Sequence, residues 1–183
     1  MSDHAEEAAR ALREIALINE RAAGFQDYQA ESGQLVLWGL VHIIGYALTI
    51  LAPPFFLLTW FSVLSFGMLV GAWMARRSNN DAIPGIVWRY VLVVGSILLF
   101  VILIHYLYYP LQPEHGALAG PVFVGCLYLI RGAQFRPRYI FLGVTLILVC
   151  LIGHFLPPFW FWWWMSLGFG GGLLLFGLWL RRY

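Results

Sequence analysis

The chain has 183 residues, 61% hydrophobic and 11% charged. Soluble domains average about 25% charged residues, so this balance excludes an ordinary soluble domain. The formal net charge of +2 is unevenly spread, because residues 1–34 hold seven acidic residues and three arginines while residues 35–183 hold eight arginines against Asp81 and Glu114.

In chain order, the first predicted element is a helix in "SDHAEEAARALREIALINERAAGF". Asp3 and Glu6 stand at capping-box-like spacing, and Glu6 and Glu7 fall where the helix dipole favours anions. Leu12, Ile15 and Ile18 belong to its apolar stripe. A helix made for anionic lipid carries basic residues on its polar face. This acidic one is expected to contact protein instead: a partner, a second copy, or the arginine-rich loops of its own bundle. A polar connector from Gly24 to Gly33 follows, and residues 1–34 form the first unit of the chain.

Residues 35–183 read as six transmembrane helices arranged as three antiparallel hairpins, with spans at about 35–51, 55–75, 86–107, 117–130, 139–156 and 159–180. A span needs roughly 20 apolar residues to cross about 30 Å of hydrocarbon. On the first span Trp38, His42, Tyr46 and Thr49 recur at helical spacing and draw one polar face along an apolar helix. Such a face belongs against the bundle or a wet cavity. It reads either as a ligand or solute path or as structural groups bonded to their neighbours. The second span carries Gly67 and Gly71, and the sixth carries Gly168 and Gly172. Small residues four apart let helices pack closely where lipid tails offer no hydrophobic gain.

The third span ends at His105 and Tyr106. Glu114 and His115 occupy the next turn, and His154 ends the fifth span. These five residues form a candidate polar cluster at the outer face, with donors suited to zinc, copper or haem. No ligand pair there has a tight motif spacing, and the metal is left open. The fourth span looks short, with Gly116, Gly120 and Pro121 near its start. Short spans interrupted by Gly or Pro point to membrane binding sites. Cys126 and Cys150 lie inside apolar spans and read as small hydrophobes.

The run "LPPFWFWWW" closes the fifth span and opens the sixth. Proline halts a helix, and Trp favours the headgroup level. All eleven basic residues are arginines. They precede span 1, lie between spans 2 and 3 and between spans 4 and 5, or follow span 6. The positive-inside rule makes that side cytoplasmic and places both termini there, in a bacterial inner membrane. No signal peptide precedes the first span.

Residues 52–77 resemble residues 156–182: each has an outer Pro-Pro-Phe, then Trp and Ser, a glycine pair, and Gly-x-Trp ending in Arg-Arg. The ending "GGGLLLFGLWLRR", with an N-terminal helix and six spans, resembles small uncharacterised bacterial inner-membrane proteins. That resemblance implies location rather than activity. Three aromatic-rich hairpins are also similar in plan to the urea/amide channel family, from which an inside N-terminus with a cytoplasmic helix departs.

No Asp, Glu or Lys lies within a span, which argues against a carboxylate-driven pump. No phosphate loop, nucleophile elbow, metalloprotease motif or nucleic-acid module is present. The expected partner is the bilayer, with protein contact or self-association through residues 1–24 and no nucleic acid. The first functional expectation is a non-enzymatic sensor or scaffold acting through the N-terminal helix. The alternative is a channel or carrier for a small, weakly polar solute, and the third is a haem- or metal-binding membrane protein.

Overall fold

The computed structural model describes residues 12–15, 28–78, 86–134 and 137–182. The described residues are helical with no strand. Helix α1 is Tyr28–Leu51, followed by a 3-10 turn at Pro53–Phe55, then α2 at Phe56–Ser78, α3 at Ile86–Leu107, α4 at Pro113–Gln134 and α5 at Arg138–His154. Helix α6, Pro158–Leu180, is α-helical to Trp164, widens into a π segment at Met165–Gly170, and returns to α-helix from Gly171. Each helix begins or ends where the backbone chemistry changes. Pro53, Pro113, Pro137 and Pro158 stand at or beside helix starts, where the missing amide donor costs nothing.

Five helices are long and apolar enough to cross a membrane. The exception to the six expected spans is α5, whose 17 residues reach about 26 Å at 1.5 Å each, short of about 30 Å. Helix α4 differs from its expected 117–130: Pro113–Gln134 is a 22-residue helix. Its first turn holds the polar Glu114 and His115, so hydropathy alone clips it. Pro121 lies buried inside it.

The helices pack as a ring, with α1 against α2, α2 against α3, and so on to α6, which closes on α1. The broadest interfaces are α1 with α6 and α4 with α5. Both depend on glycine, because a Cβ on Gly39 would stand 2.6 Å from the Leu174 nitrogen, and one on Gly143 would stand 2.8 Å from the Gly125 oxygen. The core sits among α1, α5 and α6, where Leu35, Tyr46, Leu146, Met165, Phe169 and Leu173 are almost wholly buried. By contrast α3 packs, among the described residues, mainly on its neighbours α2 and α4.

Of the predicted packing glycines, a Cβ on Gly67 would stand 2.8 Å from Val41 Cγ2, one on Gly71 would overlap the Tyr90 hydroxyl, and one on Gly168 would stand 2.9 Å from Val149 Cγ1. Gly172 is looser, since a Cβ there would stand 3.9 Å from Leu146 Cδ2. All four positions meet side chains of their own chain. Leu12 and Ile15 belong to an exposed helical turn. Ile18 and most of the predicted N-terminal helix lie outside the described residues.

Candidate functional site

Contacts between chain-distant residues gather one end of the bundle. Glu31 at the start of α1 accepts hydrogen bonds from Arg131 near the end of α4 and from the Tyr139 hydroxyl at the start of α5. Gln34 Nε2 donates to the Gly71 carbonyl of α2 at 2.8 Å, and Gly71 also lies against Tyr90 of α3. Arg138 stands over the Trp179 ring of α6 at 5.5 Å. The other end is gathered by His105 against Gly116, Tyr46 against the Ala117 carbonyl and Phe56 against Trp162.

Between these ends lies an open cavity of about 1040 Å³ lined from all six helices, with Leu57, Val93 and Ile102 of its walls more than half exposed. Helix α3 gives it one face along nearly its whole length: Arg89, Val93, Ile97, Val101 and His105 stand four residues apart and all line it. Residues four apart share a helix face, so this face looks into the cavity and its opposite looks outward. Opposite it, Gln34, Trp38, His42 and Tyr46 of α1 keep the same spacing. The predicted polar stripe therefore faces the cavity over three of its four residues. Thr49 does not line it; its hydroxyl donates to the Gly45 carbonyl at 2.9 Å and accepts from Trp60 Nε1 at 3.2 Å.

His42 sits at the centre of an aromatic group. Its ring centroid lies 4.9 Å from Phe169 edge-on, 6.0 Å from Trp60, and 6.1 Å from both Trp38 and Tyr46. Each well-oriented ring pair contributes about 0.5–1.5 kcal/mol beyond area burial, so the group is held firmly. Nδ1 of His42 is 2.7 Å from the Trp38 carbonyl. A carbonyl only accepts, so Nδ1 carries the proton, and a neutral ring then keeps its lone pair on Nε2. His105 has the same arrangement, with Nδ1 2.8 Å from the Val101 carbonyl. Phe169 reaches His42 from the π segment of α6, whose Ser166 hydroxyl donates to the Ile43 carbonyl at 3.3 Å. π segments recur at functional sites because the extra residue re-aims side chains.

Of the five residues expected at the outer face, four line two hollows. Glu114, His115 and His154 share a small pocket of about 190 Å³, with the two imidazole centroids 5.2 Å apart. His105 lines the central cavity instead, and Tyr106, on the next position of the helix, is exposed. Among the described residues no group of three or more His, Cys, Asp or Glu is placed to hold a metal ion.

Sequence reasoning missed Trp60, Phe169 and the polar end formed by Glu31, Gln34, Tyr90, Arg131 and Tyr139. Gln34 was within reach, since it continues the Trp38–His42–Tyr46 stripe by one turn. Phe169 was not, because a π segment leaves no periodic signature. Among the described residues the buried Gln34 Oε1 and Tyr90 Oη make no hydrogen bond of good geometry, although the Tyr90 hydroxyl lies near the Trp38 side chain. An orphaned buried group costs about 1–3 kcal/mol. Tyr90→Phe is therefore expected to leave the melting temperature in detergent unchanged or raise it by a few degrees, and a clear loss would mean that the hydroxyl has a partner.

Helix length and composition make this all-α chain a multi-pass membrane protein. Comparison with protein-family models, curated proteins and solved structures gives no significant match.

Proposed function

We propose that the chain is a six-span membrane protein, three hairpins in plan, that holds a long, weakly polar solute in its central cavity and carries or channels it. The observation that supports this reading is the cavity itself. Its volume of about 1040 Å³ stands at the upper end of small-molecule sites, which run to about 1,000 Å³ and combine apolar walls with a few convergent polar groups. Along α3 it extends from Arg89 to His105, about 24 Å at 1.5 Å per residue. A long, narrow solute fits that shape better than a compact one. Trp38, His42, Tyr46, Trp60 and Phe169 are the candidate recognition group, with His42 Nε2 as an acceptor for a hydroxyl.

Helix α5 supplies the sixth span in this reading, since a helix a few ångströms short is accommodated by local thinning at modest cost. The arginines at one end support an orientation with both termini cytoplasmic in a bacterial inner membrane. A phosphatase reporter active only in the periplasm, fused after Tyr183, is expected to stay silent. Activity there would invert the orientation.

The test of the cavity uses hexadecanol as probe and native mass spectrometry of the purified chain in a non-ionic detergent. The wild type is expected to retain one hexadecanol per chain, and Ile97→Trp is expected to retain none. A wild type that retains none overturns the reading. The scaffold reading keeps one supporting observation, the exposure of Leu12 and Ile15 on a helical turn (67% and 54%); a docking partner would cover them.

A further inference from the structure

We propose that the cavity's ligand is a single-chain amphiphile with an anionic head, seated with its head between Arg89 and Arg131 and its chain running past His42. This rests on the cavity reading above and adds the chemistry of the ligand. The cavity is polarised along its length. On α3 the positions after Arg89 are Val93, Ile97 and Val101, so the wall turns apolar within one helical turn. Among the described residues the charged ones that line the cavity are Glu31, Arg89 and Arg131, all at one end.

Their charges decide the sign of the head. Glu31 is already engaged by Arg131 and by the Tyr139 hydroxyl. A carboxylate holding two such donors has little left to offer a cationic head. Arg89 has no ion-pair partner among the described residues. Two arginines against one glutamate leave one positive charge at the mouth of an apolar chamber. Guanidinium presents a planar fork of donors that matches carboxylate and phosphate oxygens. At the far end the polar contributors are uncharged and engaged: His105 Nδ1 is committed to its own backbone and the Tyr46 hydroxyl donates to the Ala117 carbonyl.

Over the rest of the cavity a hydrocarbon chain meets mostly aliphatic and aromatic side chains, with His42 and Tyr46 as uncharged polar groups among them. Both a carboxylate and a phosphate fit the head site, and the experiment separates them.

The test compares four probes that share one chain: palmitate, hexadecyl phosphate, hexadecanol and hexadecylamine. Each is titrated against the full-length protein in non-ionic detergent, with adducts read by native mass spectrometry. At least one of the two anions is expected to bind about tenfold tighter than hexadecanol, and the amine no tighter than the alcohol. The tighter anion identifies the head as carboxylate or phosphate. Arg89→Gln is expected to remove the tenfold advantage while leaving hexadecanol unchanged, and Arg89→Lys to restore part of it. Anions that bind no better than hexadecanol, an amine that binds as tightly as the anions, or an Arg89→Gln protein that keeps the advantage would each overturn the proposal and leave the cavity reading standing. Failure of all four probes would overturn both.

Discussion

Gly39→Leu is expected to abolish the folded bundle, seen as loss of the monodisperse peak in size-exclusion chromatography. The cause is the crossing of α1 and α6. A Cβ at Gly39 would stand 2.6 Å from the Leu174 nitrogen, 2.8 Å from the Gly170 oxygen and 2.9 Å from the Leu174 Cα. These are backbone atoms, so no rotamer change relieves the overlap, and the helices themselves must separate. Overpacking that side chains can absorb costs about 1–3 kcal/mol; here the cost lies above that range. Separation also uncovers the best-packed part of the molecule, since Leu35, Tyr46, Phe169 and Leu173 are buried between these helices and their neighbours. Gly177 repeats the close approach further along, its Cβ falling 2.9 Å from the Ser32 oxygen. Gly95 is the control. Nothing lies within 4 Å of its Cβ position, and Gly95→Leu is expected to melt within a few degrees of the wild type. A Gly39→Leu protein that remained monodisperse and equally stable would show that α1 and α6 do not cross here.

The difference between Gly39 and Gly172 shows where sequence reasoning stops. The Gly-x-x-x-Gly pattern on span 6 drew attention to Gly168 and Gly172, and only Gly168 is tightly opposed. Gly39 belongs to no such pattern, yet its environment is tighter than either. Spacing reports which residues share a face, but not which face meets a backbone. The same limit explains the outer cluster. His105, Glu114, His115 and His154 lie near the ends of their helices, which chain position does show. Their rotation about the helix axes decides the rest, and it turns His105 into the cavity while His115 meets His154. The stripe on α1 was legible because four residues on one helix need no knowledge of its neighbours. The polar end was not, because Glu31, Arg131 and Tyr139 meet only through the packing of α1, α4 and α5. Helix α4 was misjudged in length for a simpler reason: Glu114 and His115 lower the hydropathy of its first turn without breaking the helix.

Ile97→Trp is expected to remove hexadecanol binding by a factor of at least about 100 while changing the melting temperature by no more than a few degrees. Ile97 stands midway along the cavity-facing stripe of α3, two turns from both Arg89 and His105. Two turns of helix rise about 11 Å, so the indole enters the middle of the chamber rather than either mouth. An aromatic side chain placed there meets open space where a core position would meet packed atoms, so the strain that accompanies overpacking in a filled core is absent. It narrows the cavity midway along the length that a sixteen-carbon chain would occupy. A factor of 100 corresponds to about 2.8 kcal/mol of binding energy, within reach of a handful of lost methylene contacts at about 0.8 kcal/mol each. Leu99→Trp is the matched control. Leu99 lies on the same helix, is 57% exposed and does not line the cavity, so the same substitution there adds an indole to the outer face and is expected to bind hexadecanol like the wild type. Equal binding by the Ile97 and Leu99 variants would place the ligand outside the chamber. A large loss of stability in Ile97→Trp alone would mean that the space beside α3 is already filled by protein, which removes the cavity and every function built on it.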